Sequence, residues 1–187
     1  PCALAVDPIE KKPLLHFHSG SKCLSLACTG CNLDCLNCQN HTISQALPGD
    51  VSTKLWSPED LVNICLENQI PGIAYTYTEP LTWYEYTYDI ARHAHQAGLW
   101  NILVSAGYIN PAPLSMLLPY IDAANIDLKS FNDDLYKKIN GATLQPVLNT
   151  LIMLKDSNIH LEITNLLIPH INCDELLIKK MCYWLVE

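Results

Sequence analysis

The stretch ACTGCNLDCLNCQN, residues 27–40, carries four cysteines, Cys28, Cys31, Cys35 and Cys38. It can be divided in two ways. As CxxC followed three residues later by a second CxxC, it is a four-thiolate site, closed and therefore structural or electron-carrying. As CxxxCxxC with Cys28 outside, it is a three-thiolate site that leaves one metal position open for chemistry. A structural zinc ribbon sets its two knuckles well apart, because two turns must face one tetrahedral ion. The three residues between the knuckles leave little room for that. A ferredoxin is expected to show CxxCxxC with a remote fourth cysteine, a different spacing. The residues between the thiols are polar, which argues against four cysteines that merely pack.

KCLSLAC (22–28) reads as a strand that delivers the cysteine loop at its end. Beyond residue 50, short β-branched or aromatic runs alternate with helical patterns. GIAYTYTE (72–79), NILVSAG (101–107), AANIDLKS (123–130) and IHLEITNLLI (159–168) read as strands. The intervening helices fall at 57–69, 81–98, 111–120, 132–139 and 145–157, with a last one at 173–187. Ser57 opens its helix with a capping-box pattern, and Asn132 is a good N-cap. Alternating strands and helices indicate an α/β fold with a parallel sheet. No GxGxxG follows any strand, so a barrel or partial (βα) TIM-like barrel is expected rather than a dinucleotide fold.

In such folds the active site gathers at the carboxyl ends of the strands. The polar residues do fall there: Glu79, then Ser105 and Gly107, then Asp127 and Lys129. Alternation places Asp127 and Lys129 on one face and Ile126 and Leu128 on the other, and puts Tyr75, Tyr77 and Glu79 together. A buried charge needs a partner, and a zwitterionic ligand at this mouth would supply one. Each residue also has a plainer role: Asp127–Lys129 as a structural ion pair, Glu79 as a helix cap. Cys2, Cys23, Cys65, Cys173 and Cys182 are expected to pack. His16 and His18 alternate on an expected strand, and His93 and His95 sit two apart on a helix. Neither pair has metal-site spacing, and all four are expected at the surface.

Bulk properties narrow the classes. The chain has 187 residues, about half of them hydrophobic, enough for one well-buried domain. Its net charge is −8, with ten lysines, one arginine and no basic stripe, which speaks against nucleic acid. No apolar run reaches the roughly 20 residues of a membrane helix, and no signal peptide is evident. Nine cysteines in a core-rich chain point to a reducing, cytoplasmic compartment and to metal binding.

The segments DPIEKKPLLHF, GCNLDCLNCQN, AYTYTEPLTWYEY, SAGYINPAPL, AANIDLKSFNDDLYKKI and LEITNLLIP together resemble the radical SAM component of the AmmeMemoRadiSam system. That group is similar to the pyruvate formate-lyase activating enzymes, the glycyl-radical activases. The resemblance spans nearly the whole chain. It implies a lead-in segment at 1–21 and a radical SAM core at 22–187, with a further strand and helix beyond. On this reading the chain looks like a fragment of a longer protein.

The resemblance also implies roles. Cys31, Cys35 and Cys38 would hold three irons of a [4Fe-4S] cluster, leaving Cys28 as a packed strand residue. Tyr77, Thr78, Glu79 and Pro80 fall where activases carry Gly-Gly-Glu-Pro around the methionine amino group of S-adenosylmethionine. Ser105 falls near its ribose, Asp127 and Lys129 match an Asp-Leu-Lys motif that meets its carboxylate, and Thr164 stands at an activase Arg. Asn37 and Val104 replace an aromatic residue and an Asp. The implied reaction is reductive cleavage of S-adenosylmethionine to a 5′-deoxyadenosyl radical that abstracts hydrogen. A flavodoxin or ferredoxin-like electron donor and a substrate of unspecified kind, a polypeptide among the candidates, would be the partners. The other class is a non-catalytic iron–sulfur scaffold or regulator that keeps the barrel.

Overall fold

Six extended segments pair side by side in the order of the chain: β1 (Ala3–Pro8), β2 (Lys22–Ala27), β3 (Gly72–Tyr75), β4 (Trp100–Ser105), β5 (Ala123–Asp127) and β6 (His160–Thr164). The computed structural model describes residues 1–47 and 49–187. β2 to β6 are all parallel, as the alternating sequence pattern requires. β1, which no sequence pattern marks, adds an antiparallel edge, with Ala3 opposite Ala27 and Pro8 opposite Lys22. The helices are α1 (His41–Ser44), α2 (Pro58–Glu67), α3 (Tyr84–Gln96), α4 (Pro111–Leu117), α5 (Asp133–Leu135), α6 (Leu144–Asp156) and α7 (Glu175–Val186). α2 begins with the expected capping box, Ser57 and Asp60 each bonding the other's backbone. Asn132 caps α5, but that helix lasts three residues before it widens into a π-helix over Tyr136–Asn140.

Side-chain alternation divides the sheet into two chemically different faces. Leu24, Leu26, Ile73, Tyr75, Leu103, Ala124 and Ile126 belong to the main apolar cluster, which also takes in residues of α2, α3 and α6. The other face carries mostly small or polar residues, Cys23, Ser25, Ala74, Ala123 and Asn125, with Ile102 among them. Among the described residues no α-helix packs on that face; a single 3-10 turn, Ile9–Lys11, does. The lower half of the face, towards the strand amino ends, is filled by the segment after β1. Ile9 and Leu14, both fully buried, pack on Cys23, Ala74, Ile102 and Ala123. The Pro13 carbonyl accepts from Asn125 Nδ2 at 3.0 Å, and His18 stacks on Trp100. The Leu15 and His16 N–H groups each donate to Glu162 at 2.9 Å. The upper half is left open.

Several boundaries differ from the sequence pattern for identifiable reasons. β3 stops at Tyr75 because Tyr77 adopts a left-handed φ of +69°. Tyr75, Tyr77 and Glu79 therefore do not share a face. The Tyr75 hydroxyl donates to Asn101 Oδ1 at 2.7 Å inside the outer layer. The Tyr77 hydroxyl turns the other way, to Asp7 and Lys12. His16 and His18 lie in bends of the plug rather than on a strand. Cys23 and Cys65 pack as expected, whereas Cys173 and Cys182 are exposed, Cys182 on the outer side of α7.

The plug is held by a charge, and that makes it sensitive to pH. Burial works against ionisation of Glu162, but the Leu15 N–H, His160 and the His16 N–H outweigh it and hold the carboxyl at about 2. A carboxyl depressed in the folded state adds stability above its unfolded value, near 4.5, and loses it as pH falls towards 2. Glu162→Gln should cost about 2 kcal/mol at pH 7 by denaturant unfolding. The gap between variant and parent should close as pH drops from the unfolded value towards the folded one.

Candidate functional site

The open upper half of the sheet is a cavity of about 690 Å³. The cysteine loop that follows β2 forms one wall. Leu33, 3 % exposed, anchors the loop in the apolar core. Gln45 Nε2 donates to the Leu33 carbonyl at 2.9 Å, and Asn40 Nδ2 donates to the Tyr77 carbonyl at 2.7 Å. Cys31, Cys35 and Cys38 all line the cavity, and Cys28 does not. Cys28 continues the outward-facing row of Leu24 and Leu26 and lies near Cys2. Burial pushes the Cys31 thiol up to about 11, and the charges of Glu79 and the other two cysteines push the same way. Burial raises Cys35 as well. Such thiols need a cation to become thiolates. Among the described residues no three His, Cys, Asp or Glu side chains converge tightly enough to hold a single metal ion.

The opposite walls come from the ends of the other strands. Glu79 is 1 % exposed and lines the cavity. Its Oε1 accepts from Ser105 Oγ at 2.7 Å and from the Leu81 N–H at 3.1 Å. Its Oε2 accepts from the Ala106 N–H at 2.8 Å. A carboxylate has about four acceptor positions, so one remains. Burial raises the Glu79 carboxyl despite these bonds. Glu79 and Ser105, both singled out by the sequence, are thus joined directly. Leu81 lies ahead of α3, so Glu79 holds a turn rather than capping that helix.

Asp127 and Lys129 also meet, Nζ to Oδ2 at 3.0 Å, and both line the cavity. Burial disfavours the Lys129 charge, but Asp127 more than offsets it and raises the ammonium above its ordinary range. Thr164 reaches the same wall and donates to Asn125 Oδ1 at 3.1 Å. Tyr77 and Thr78 form the rim. The Thr78 N–H bonds the Thr76 carbonyl at 2.9 Å across the left-handed Tyr77, a γ-turn. The Thr78 hydroxyl donates to the Cys28 carbonyl at 2.7 Å, tying this turn to the base of the cysteine loop.

Cys31, Cys35, Cys38, Tyr77, Thr78, Glu79, Ser105, Asp127, Lys129 and Thr164 therefore all line one cavity, whereas Gly107 lies against Ile126 and Thr150. Others there carry no sequence signal. Asn125 sits in an apolar strand and is buried, bridging Thr164 to the plug. Lys12, fully buried, donates to Asp7 at 3.0 Å and to the Tyr77 hydroxyl at 3.2 Å. These three form a charged layer between plug and cavity. Only the charge pattern of DPIEKK could have hinted at it.

Comparison with known proteins gives the family and the fold. The family model described as the radical SAM superfamily matches residues 26–178. An uncharacterized protein of Methanocaldococcus jannaschii is 47% identical over 171 residues, 91% of this chain and 50% of its own length. The 4-hydroxyphenylacetate decarboxylase activating enzyme of Clostridium scatologenes is 24% identical over 138 residues, covering 70% of this chain and 42% of that protein. The chain thus spans about half the length of the curated relatives it matches. A domain of pyruvate-formate lyase-activating enzyme from Bacteroides vulgatus superposes with a TM-score of 0.57 at 21% identity, covering 62% of this chain and 72% of that one. At that identity the likeness concerns the fold, here the open parallel sheet with helices on one face. With the family model covering most of its length, this chain belongs to the radical SAM superfamily, whose cofactors are a [4Fe-4S] cluster and S-adenosylmethionine.

Proposed function

We propose that this chain is the catalytic core of an activating-enzyme-like radical SAM protein. In this reading Cys31, Cys35 and Cys38 hold the cluster, and the facing wall holds S-adenosylmethionine. One observation carries it. Three loop cysteines, but not the fourth, line the same cavity as Glu79, Ser105, Asp127, Lys129 and Thr164. The residues fit the groups. A cube gives each cysteine its own iron, so the thiols need not converge on one point. The cavity volume is within the usual range for a small-molecule site.

The chemistry the bound cofactors supply is one-electron reductive cleavage of S-adenosylmethionine, ending in hydrogen abstraction from a substrate. The protein binds and orients. The Lys129 ammonium, kept charged by Asp127, suits a carboxylate. The remaining acceptor position of Glu79 suits an ammonium, and a buried carboxylate gains from such a partner. Ser105 and the Ala106 N–H fix the Glu79 carboxylate at the cavity wall. Tyr77 and Thr78 hold the rim, and Thr164 and Asn125 close the far side. Asn37 and Val104 line the cavity where stacking and ribose contacts are expected, so apolar and amide contacts replace them.

The relatives are named as activating enzymes of other enzymes, which makes a polypeptide the first substrate to try; the resemblance to glycyl-radical activases adds a flavodoxin or ferredoxin-like protein as the first electron donor. A cytoplasmic setting agrees with such a cluster, and no helix among the described residues is long and apolar enough to cross a membrane. A non-catalytic iron–sulfur scaffold has one observation in its favour: three acceptor positions of Glu79 are already filled within the chain.

Anaerobic reconstitution should give about four irons and four sulfides per chain, and reduction should yield 5′-deoxyadenosine. A loaded protein that leaves S-adenosylmethionine intact would establish the scaffold instead. Cys28→Ala should retain the iron, while Cys31→Ala should lose most of it; equal loss in both variants would restore the four-thiolate reading. Lys129→Met should keep the cluster and weaken S-adenosylmethionine binding by about 10- to 100-fold, as loss of one charged hydrogen bond does. An unchanged Kd by calorimetry would remove Lys129 from the binding site.

A further inference from the structure

The π-helix Tyr136–Asn140 has no part in the roles assigned so far, yet it grips the centre of the cysteine loop. The last carbonyls of a helix have no partner within it. Here the Ile139 carbonyl accepts the Leu36 N–H at 2.9 Å, and the Asn140 carbonyl accepts the Asp34 N–H at 3.0 Å. Between those two bonds lies Cys35, and Asn140 Nδ2 stands 3.2 Å from its sulfur. Three consecutive loop residues are therefore held by two adjacent residues of one turn. Gly141 then reverses the chain with φ +65°, and a Cβ there would sit 3.6 Å from the Asp34 nitrogen. Single π turns of this kind are frequent at functional sites.

The other two sulfurs are attended in the same way. Cys31 Sγ accepts the Leu33 N–H at 3.4 Å. Cys38 Sγ lies 3.4 Å from Ser44 Oγ. Each of the three cavity cysteines thus has one hydrogen-bond partner within the chain. Asn140 is 3 % exposed and Ser44 4 %, so neither polar group is at the sulfur by surface accident. A metal-bound thiolate can only accept, which fixes the amide with its NH₂ towards Cys35 and the hydroxyl proton towards Cys38.

We propose, resting on the cluster assignment above, that Asn140 and Ser44 are tuning residues that raise the reduction potential of the cluster by donating hydrogen bonds to Cys35 and Cys38. An added electron increases negative charge on the sulfurs. A donor aimed at them stabilises the reduced form more than the oxidised one. Two side-chain donors would ease entry of the low-potential electron that S-adenosylmethionine cleavage consumes. The backbone grip by Ile139 and Asn140 is a separate function and survives side-chain replacement.

The test uses the whole chain, reconstituted anaerobically, as the parent, Asn140→Leu, Asn140→Asp, Ser44→Ala and the Asn140→Leu/Ser44→Ala double variant. Iron and sulfide content are measured first, then the midpoint potential by redox titration followed by electron paramagnetic resonance. Asn140→Leu and Ser44→Ala should each load iron like the parent and make reduction about tenfold less favourable, about 59 mV more negative for one electron. The double variant should fall further than either. Loaded variants with the parent's potential would overturn the proposal. So would loss of iron from both Asn140→Leu and Asn140→Asp, which would make the side chain part of the loop's scaffold. A parent that takes up no iron would refute the cluster assignment itself, a result distinct from either.

Discussion

A parallel sheet with helices on one face only must do something with the other. In this protein that uncovered face organises the rest. The outward residues of β2 to β6 are large and apolar, and they pack against helices in the usual way. The inward residues are mostly small or polar, with Ile102 and Val104 the larger apolar ones, and they pack on the segment after β1 rather than on helices. The concave side is filled to half its depth by that segment and left open above. Strand carboxyl ends, with their polar side chains, border the part that stays open. The cavity is what remains after the plug is in place.

Charge management follows from that division. Asp7, Lys12 and the Tyr77 hydroxyl make a buried polar layer on top of the plug, and Lys11 joins it from the edge. Burial opposes the Asp7 charge, but Lys11, Ser25, Tyr77 and Lys12 together hold its carboxyl well below the usual range. Tyr77 is the link between this layer and the site. Its phenol is held below, its carbonyl is held by Asn40, and its backbone sits in the left-handed region between them. Such a conformation costs about 1–2 kcal/mol in a residue with a Cβ. It persists where the surroundings fix both ends of the residue. The same turn ends β3 early and frees Glu79 to lie against β4, so a local strain sets the position of a buried carboxylate.

Much of this was legible from local pattern. Five parallel strands, the capping box at Ser57 and the convergence of Glu79, Ser105, Asp127 and Lys129 follow from alternation and from strand order. The limits of legibility are equally specific. β1 lies in a stretch broken by charge and proline, and only its pairing with β2 makes it a strand. GIAYTYTE reads as one strand because the pattern of side chains is unbroken. The left-handed turn at Tyr77 is imposed by contacts to Asp7 and Asn40, far away in the chain. Asn125 and Asn140 look like ordinary polar residues in helix and strand patterns, and their partners lie 112 and 105 positions away.

The sequence by itself determined what depends on near neighbours. It set the order of the elements, the faces of each strand, and a short loop whose thiols are too close for two independent knuckles. It left open which thiols act together. The tertiary structure separates them by position: β2 ends at Ala27, Cys28 stays outside the cavity, and the loop that follows brings Cys31, Cys35 and Cys38 to its lining. It also decided what surrounds them: a plug that sets the cavity floor, and one hydrogen-bond partner for each sulfur. The physical reason is the same throughout. Side-chain periodicity is a property of a few residues in a row, whereas the depth of a cavity and the company of a buried sulfur are set by segments that meet only once the sheet has formed.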